Sequence, residues 1–510
     1  MDVTETKSRK FRFFEIIPGF LTWLALTSPI WLGFFAPSLV VLTLTFLSIY
    51  WIYLAFTHSV GIIIGYKRYK GELAIDWHKE CLKLNFADLP DKATLPKSLA
   101  EVKHLILVPA VNESIEILDS TLGAIANQNY SEKDGVFITV TCEERGSESV
   151  GESVQILREK YKDQIKHLFF YVHPGGIPGE LVGGGAPNRT WGAKHAIEEL
   201  KKLEVNLDNV IFTTFDADTN IHREFISRLT HLYLTTDRRF HHFYSTVVHL
   251  FNNNIWEVHT LMRIEANCIT LGTLSSWTLN HETRETFSCY SVSLNTLLAA
   301  DFWDPALIDD SVFYWRAFFA RNGEFSPRIF YIPNSSDAVH ADSFIKAHKS
   351  LYKQLLRWGW GSVTTPIALE GFSEHKNIPL KIKLSWAYNK IERHLVFRTI
   401  VFLITFGFAI LTLVNEGVRQ TTVAYRLPDV ISAILTFGLI LLIPTTIIRG
   451  KLITPPPKKR GYIRRFFSLL EGPLVIINLL TFSFLPYLEA ETRMMLGKGF
   501  KVLHFTPKYR

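Results

Sequence analysis

The sequence predicts an α/β domain with a mixed, mostly parallel sheet, joined to transmembrane α-helices and to amphipathic helices at the membrane surface. Three observations support this fold class. Short apolar runs alternate with segments of helical spacing between residues 104 and 215, and long apolar runs lie near both ends. The 510 residues are 47% hydrophobic but 20% charged. A bundle of membrane helices would carry fewer charges, and a wholly soluble enzyme would rarely be this apolar.

The first two long apolar runs cover residues 17–37 and 38–65. Each is long enough to cross the hydrocarbon core of a bilayer, which is roughly 30 Å thick. Basic residues precede the first run, so we expect a helical hairpin whose two ends both face the cytoplasm.

Apolar runs return at residues 395–413 and 430–448, and the strongly basic segment 449–465 follows them. The positive-inside rule assigns that segment to the cytoplasm, in agreement with the hairpin. The last apolar stretch, residues 466–488, is interrupted by Glu471-Gly472-Pro473. It fits either a fifth span or a re-entrant or interfacial segment.

These segments predict an integral, multi-pass membrane protein with a cytoplasmic α/β domain, in the plasma or inner membrane if the chain is prokaryotic. Its net charge of +7 would suit nucleic acid in a soluble protein. Because the basic residues flank apolar runs, we expect the lipid bilayer as the anionic partner and no nucleic acid. The predicted units are an N-terminus with two spans (1–66), the α/β domain (67–342), interfacial helices (343–394), two spans (395–448), a basic loop (449–465), a fifth spanning or interfacial segment (466–495) and a tail (496–510).

The α/β domain follows from the order of its apolar patterns. The sequence predicts strands at 104–108, 136–140, 167–172 and 210–215, helices at 115–128, 152–161 and 191–203, and a Gly/Pro-rich loop at 174–187. In parallel sheets, ligands bind at the carboxyl ends of the strands. We therefore expect four carboxylates to share one edge of the sheet: Glu143, Glu144, Asp216 and Asp218.

Two acidic pairs carry candidate chemistry. Asp216 and Asp218 directly follow an apolar strand, where two carboxylates can hold a hard cation such as Mg²⁺ or Mn²⁺. The alternative is a surface turn capped by aspartate. Asp309 and Asp310 precede a helix predicted from residue 311. They could cap that helix, or one of them could serve as a general base.

Gln354, Arg357 and Trp358 lie at helical spacings i, i+3 and i+4, so they share one face. The planar guanidinium of arginine suits a diphosphate, and the ring of tryptophan suits the C–H face of a sugar. The alternative is a membrane-surface helix with an interfacial tryptophan and a snorkelling arginine.

The ordered set of motifs resembles glycosyltransferase family 2, in the membrane-integrated branch that contains cellulose, chitin and hyaluronan synthases. The resemblance runs from residue 108 to residue 358, with membrane helices on both sides. Its motifs are VPAVNE (108–113), an acid after the second strand (143 or 144), DAD (216–218), IDD in place of TED (308–310) and QLLRW (354–358).

The resemblance implies a GT-A-type, Rossmann-like domain and an inverting transfer that depends on Mg²⁺ or Mn²⁺. The donor would be a nucleotide-diphosphate sugar, with a UDP-sugar favoured and a GDP-sugar as the alternative. The acceptor would be a hydroxyl of a growing polysaccharide or of a glycolipid. A single addition to a lipid carrier and a non-catalytic membrane sensor of nucleotide sugars are the alternatives.

The same resemblance implies roles for individual residues. Asp218, with Asp216, would hold the metal, and Asp310, beside Asp309, would be the catalytic base. The acceptor would meet Trp358, Gln354, Ser288 and Cys289. The donor and its nucleotide would meet Pro109, Ala110, Asn112, Glu113, Glu143, Glu144, Arg189, Lys194, Asp216 and Arg357.

The chain also departs from the family pattern. Thr190 stands where the family has a lysine before DxD, so Arg189 or Lys194 must supply that charge. Ser288-Cys289-Tyr290 matches the family's acceptor segment only loosely. Thr506 and Lys508 resemble the FxVTxK gating loop of cellulose synthases, which implies a cytoplasmic tail.

Overall fold

A seven-stranded sheet forms the centre of the α/β domain in the computed structural model, which describes residues 8–183, 185–307, 309–457, 461–469, 471–472 and 474–499. A three-stranded sheet lies beside it. The strands are β1 (Lys103–Ala110), β2 (Val136–Glu143), β3 (His167–His173), β4 (Val210–Thr214), β5 (Asn220–Ile221), β6 (His242–Thr246), β7 (His249–Leu250), β8 (Tyr290–Ser293), β9 (Ser326–Phe330) and β10 (Asn334–Ser335).

The strand order in the large sheet is β3-β2-β1-β4-β8-β6-β9, and that of the small sheet is β5-β10-β7. In the large sheet, β8 is antiparallel to both of its neighbours, and the other pairings are parallel. The sheet is therefore mixed and mostly parallel, which confirms the predicted fold class.

Helices cover the sheet and continue into the apolar segments. They are α1 (Arg9–Leu26), α2 (Ser28–Phe35), α3 (Pro37–Leu73), α4 (Trp77–Leu82), α5 (Ile115–Ala126), α6 (Ser147–Lys160), α7 (Gly185–Lys202), α8 (Phe225–Thr235), α9 (Thr260–Leu279), α10 (Leu294–Ala299), α11 (Asp309–Ala320), α12 (Phe344–Gly359), α13 (Thr364–Glu374), α14 (Leu380–Ile391), α15 (Phe397–Val414), α16 (Glu416–Arg419), α17 (Thr422–Leu441), α18 (Ile443–Leu452), α19 (Gly461–Leu469), α20 (Leu474–Leu480) and α21 (Leu485–Met495). A π-helical turn, Glu392–Val396, joins α14 to α15.

Alternating side chains of β1 show why the sheet is buried on both faces. Leu105 and Leu107 lie in one hydrophobic cluster with residues of α7, α10 and α11. Ile106 and Val108 lie in a second cluster with residues of α5, α6 and α8. Successive side chains of a strand point to opposite faces, so a continuous apolar run is the pattern of a strand covered on both sides.

The predicted start of α6 is wrong, because this helix begins at Ser147 and not at residue 152. The predicted starts of α7 and α11 are wrong as well. Residues 174–187 were expected to form a loop, but α7 begins at Gly185, six residues before the predicted helix. Asp309 and Asp310 were expected just before a helix, but α11 begins at Asp309, so both lie in its first turn. Proline and acidic residues are tolerated in a first helical turn, which explains the differences at α7 and α11.

Within the residues that the structure describes, four helices are long and apolar enough to cross a membrane: Pro37–Leu73, Leu380–Val414, Arg426–Leu452 and Leu474–Met495. The last of these includes most of the stretch whose role the sequence left open. The first predicted span is instead a broken pair, α1 and α2, bent by 57°. Pro29 lies in the first turn of α2 and cannot donate a helical hydrogen bond, which accounts for the break.

Helix α3 packs on the α/β domain through α9. A Cβ on Gly61 would lie 2.7 Å from the carbonyl oxygen of Ser275, so only a glycine allows this approach. Ser275 Oγ also donates a hydrogen bond to the carbonyl oxygen of His58, at 2.9 Å. This contact holds an apolar candidate span directly against the domain that carries the site.

Candidate active site

The predicted site residues begin at one edge of the large sheet. In the parallel register, Ala110 of β1 lies opposite Cys142 of β2, and Leu107 of β1 lies opposite Thr214 of β4. Glu143, Glu144, Asp216 and Asp218 follow these positions at the carboxyl ends of β2 and β4. The expected common edge is therefore present.

Arg189 joins the two acidic motifs. Its Nη2 lies 3.1 Å from Asp216 Oδ1, and its Nη1 lies 3.0 Å from Asp310 Oδ1. The Arg189 side chain is only 3% exposed, whereas Asp216 is 45% exposed and Asp310 is 24% exposed. Burial alone would lower the pKa of Arg189, but the two carboxylates raise it. A fixed cation therefore holds both acids at the floor of an accessible site.

The first turn of α7 places Arg189. The neighbouring Asn188 is buried, and its Nδ2 donates to the carbonyl oxygens of Ala110 and Thr141 at 3.0 and 3.2 Å. Thr141 Oγ1 donates back to Asn188 Oδ1 at 2.8 Å. Asn188 thus fastens α7 to the ends of β1 and β2, a role that the sequence did not reveal.

Either Arg189 or Lys194 was expected to supply the basic charge that Thr190 lacks, and the structure distinguishes between them. Lys194 lies more than one helical turn further along α7, is exposed, and has its Nζ 5.3 Å from the centre of the Phe302 ring. The structure therefore brings Arg189, and not Lys194, to Asp216 and Asp310.

The segment that precedes β8 binds the backbone of Asp310. Thr286 Oγ1 donates to the carbonyl oxygen of Asp310 at 2.5 Å. Cys289 is buried next to this segment, and burial raises the pKa of its thiol to about 12, with added effects from Asp216 and Asp310. Ser288 is half-buried. The thiol of Cys289 is therefore buried and protonated, so it contributes packing and not a reactive group.

Helix α12 supplies the third part of the site. Gln354, Arg357 and Trp358 lie on this helix, as their spacing predicts, and Trp358 is 39% exposed. Burial lowers the pKa of Arg357, and the nearby charges of Asp216 and Asp310 oppose that shift. Helices α11 and α12 pack together through Val312 and Leu356. Helix α12 therefore packs on the helix that carries Asp310.

Asp218 is fully buried and is fixed by the small sheet. Its Oδ2 accepts a hydrogen bond from the backbone N–H of Asp337 at 2.9 Å. Asn253 Nδ2 donates to the Asp218 carbonyl oxygen and to Asp337 Oδ1, both at 2.9 Å. No sequence pattern predicted a role for Asn253 or Asp337. The only local signal was the Asn252-Asn253-Asn254 run after a short strand.

The donor set fits a hard divalent cation. Asp216 and Asp218 offer carboxylate oxygens, which Mg²⁺ and Mn²⁺ prefer. Among the residues described, no group of three or more His, Cys, Asp or Glu side chains could hold a metal ion. Two carboxylates match the mode in which Mg²⁺ takes its remaining ligands from water and substrate phosphates.

The ends of β1 and β2 form the adjacent half of the edge. Glu113 is buried, and its Oε2 accepts from the backbone N–H groups of Val111 and Asn112 at 2.6 and 3.2 Å. Burial raises the pKa of Glu143, although Arg145 lies 2.8 Å from its carboxylate. Glu144 accepts from the N–H of Gly175 at 2.8 Å. In the VPAVNE motif, Pro109 and Ala110 belong to β1, whereas Asn112 follows the strand and is exposed.

Three predicted residues cannot be placed fully. Thr506 and Lys508 lie outside the described residues, and so does the side chain of Asp309. Their predicted roles stay predictions.

Gly146 permits a close approach beside this half of the edge. A Cβ at this position would lie 1.6 Å from the carbonyl oxygen of Val111, so the backbone would have to move. We expect Gly146→Ala to displace Asn112 and to weaken binding of UDP or GDP about tenfold, measured by equilibrium titration. Gly151→Ala on α6 is the matched control, because its Cβ would meet only the Phe170 ring, at 3.2 and 3.6 Å, and no backbone atom. Unchanged affinity in Gly146→Ala would show that this approach does not shape the nucleotide site.

No family model matches the chain, and no curated protein matches it by sequence. Among solved structures, the mannosyltransferase PcManGT from Pyrobaculum calidifontis, in complex with GDP-Man and Mn²⁺, is similar with a TM-score of 0.40 and 12% identity, covering 82% of this chain and 99% of that chain. S. aureus TarS 1–349 in complex with UDP is similar with a TM-score of 0.32 and 13% identity, covering 78% of this chain and 92% of that chain. The same protein in complex with UDP-GlcNAc has a TM-score of 0.32 and 14% identity, covering 62% of this chain and 92% of that chain. Similarities of this extent establish nothing about the activity of this chain.

Proposed function

We propose that this chain is a membrane-bound, inverting glycosyltransferase of the family 2 type. It would transfer a hexosyl or N-acetylhexosaminyl group from a nucleotide-diphosphate sugar to a hydroxyl of a growing polysaccharide or of a glycolipid. The donor is a UDP-sugar or, as the alternative, a GDP-sugar. The α/β domain faces the cytoplasm, where nucleotide sugars are made available.

One observation carries the proposal. The buried guanidinium of Arg189 contacts Asp216 of the DxD motif and Asp310 at the start of α11. The charges of Asp216 and Asp310 also act on Arg357 of the QxxRW motif. Asp216 and Asp310 are far apart in the sequence, yet both contact Arg189. A metal-binding pair, a base and two arginines form a set of groups suited to the transfer of a sugar from a diphosphate.

In the proposed mechanism, the Asp310 carboxylate accepts the proton of the acceptor hydroxyl as that oxygen attacks the anomeric carbon. The bond between the anomeric carbon and the diphosphate oxygen breaks, with inversion at that carbon. Arg357 and Arg189 stabilise the negative charge on the departing diphosphate. Asp216 and Asp218 would hold Mg²⁺ or Mn²⁺, whose charge offsets that of the diphosphate. Trp358 would stack on the acceptor sugar.

A donor screen tests the proposal. Protein purified in detergent would be incubated with UDP- and GDP-sugars, and release of nucleotide diphosphate would be followed with Mg²⁺, with Mn²⁺ and with EDTA. We expect release from at least one donor with a metal ion and no release with EDTA. Nucleotide binding without release from any donor would favour a non-catalytic sensor and contradict the proposal. The length of the product would separate a polymerase from a single-addition enzyme.

A further inference from the structure

A cavity of about 310 Å³ lies on the α/β domain, away from the candidate active site. Strand β6 runs parallel to β4, because both are antiparallel to β8. The turn before β6 therefore lies at the sheet edge opposite Asp216. That turn, the segment after α4 and the end of α11 form the cavity, which is lined by Asp91, Lys92, Ala93, Thr94, Arg238, Phe240, His241 and Arg321.

The walls carry an excess of positive charge. Among the residues that the structure describes, neither Lys92 nor Arg321 has an acidic partner. Asp91 is already engaged: its carboxylate accepts from the backbone N–H groups of Arg238 and Arg239 at 3.0 and 2.8 Å. Arg238 pairs with Glu324 outside the lining. The cavity thus keeps two cations without a counter-charge.

Arg321 is the most informative of these residues. It is half-buried, its Nη2 donates to Asn295 Oδ1 at 2.6 Å, and its Nε is buried and, within the described part of the chain, makes no hydrogen bond. Burial lowers its pKa, and no nearby carboxylate opposes that shift. Such a group loses hydration and gains only neutral hydrogen-bond partners, a cost that a bound anion would offset.

The opposite wall is fixed in an unusual backbone conformation. Asp91 and Arg238 both have positive φ angles, 57° and 52°. Non-glycine residues hold this conformation only where neighbouring groups stabilise it, and here the Asp91 carboxylate does so. Asp91 therefore shapes the wall and leaves Lys92 and Arg238 at the rim.

We propose that this cavity is a second ligand site, which binds a small phosphate-bearing anion independently of sugar transfer. Its size is at the lower end of the range for small-molecule sites, roughly 300–1,000 Å³. Guanidinium and ammonium groups are the side chains best suited to phosphate oxygens.

Binding of inorganic pyrophosphate tests the proposal. Calorimetric titration of the full-length protein in detergent, with EDTA present, would be compared among four proteins. We expect wild type and Lys162→Gln, an exposed lysine between α6 and β3, to bind equally, because β3 and β6 lie near opposite ends of the strand order. Arg321→Gln should bind at least about tenfold more weakly, and Arg321→Lys should keep part of the affinity.

A further variant separates this cavity from the active site. Arg357→Gln should keep the part of pyrophosphate binding that Arg321→Gln removes. Loss of binding in Arg357→Gln but not in Arg321→Gln would assign the anion to the catalytic edge and overturn the proposal. Absence of binding by wild type at millimolar concentrations would do the same. Lower thermal stability of Arg321→Gln with unchanged binding would show that Arg321 serves only the carboxyl end of α11.

Phosphate groups could come from solution or from lipid headgroups. Titration of the protein in phosphatidylcholine nanodiscs and in phosphatidylglycerol nanodiscs distinguishes the two sources. Competition that depends on phosphatidylglycerol and is lost in Arg321→Gln would identify a headgroup as the occupant. Equal binding in both nanodiscs would identify a soluble phosphate.

Discussion

Replacing Asp310 with asparagine should abolish sugar transfer while nucleotide binding persists. The asparagine side chain cannot accept the proton of the acceptor hydroxyl, but its amide oxygen can still accept the hydrogen bond from Arg189 Nη1, now 3.0 Å from Asp310 Oδ1. The site should therefore keep its shape. Removal of a general base lowers turnover by about 10²- to 10⁴-fold. Turnover would be measured by product formation, and binding by titration with the nucleotide diphosphate.

Two further variants make this result specific. Asp304→Asn removes the same charge from a nearby, partly exposed aspartate and should change turnover less than about twofold. Asp309→Asn tests the neighbouring acid directly. If Asp309→Asn abolishes transfer and Asp310→Asn retains wild-type turnover, the base is Asp309 and the assignment made above is wrong.

Local patterns were sufficient to predict the strands β1 to β4 and the helical face of α12. Their information is contained in a few consecutive residues: a run of buried β-branched and leucine side chains, or a repeat every three to four positions. The same patterns predicted that Glu143 and Asp216 would share an edge, because parallel strands end on the same side. These parts of the site could be derived without the structure.

Long-range contacts could not be derived in this way. Asp218 depends on Asn253 and Asp337, which are 35 and 119 residues further along the chain. Whether Arg189 or Lys194 reaches the acids depends on where α7 begins and on its rotation, and its glycine-rich start resembled a loop. Hydropathy also cannot detect the break between α1 and α2, because Pro29 is compatible with an apolar run.

The structure also reveals a buried ion pair between the α/β domain and a candidate span. Glu285 precedes Thr286, which binds the backbone of Asp310, and both Glu285 and Lys390 of α14 are only 7% exposed. Lys390 Nζ donates to Glu285 and to Thr364. Trp315 Nε1 of α11 donates to Glu285 as well. Arg393 Nη1 lies 3.6 Å from Glu285 Oε2. This cluster connects α14, which begins a candidate span, to α11, the helix that carries Asp310.

Lys390→Met should therefore destabilise the protein more than a surface substitution would. Removing one partner of a buried pair costs about 3–5 kcal/mol, because the remaining charge is left without compensation. Arg393 would compensate part of that charge, so we expect a loss of about 2 kcal/mol, seen as a lower midpoint of thermal unfolding in detergent. Lys381→Met, an exposed position on the same helix, should change the midpoint little.

The double variant Glu285→Gln with Lys390→Met shows whether charge is the cause. A neutral glutamine can still accept the hydrogen bond of Trp315 and leaves no buried charge, so the double variant should be more stable than Lys390→Met alone. If the two variants unfold at the same temperature, packing of the lysine stem, and not the ion pair, stabilises this junction.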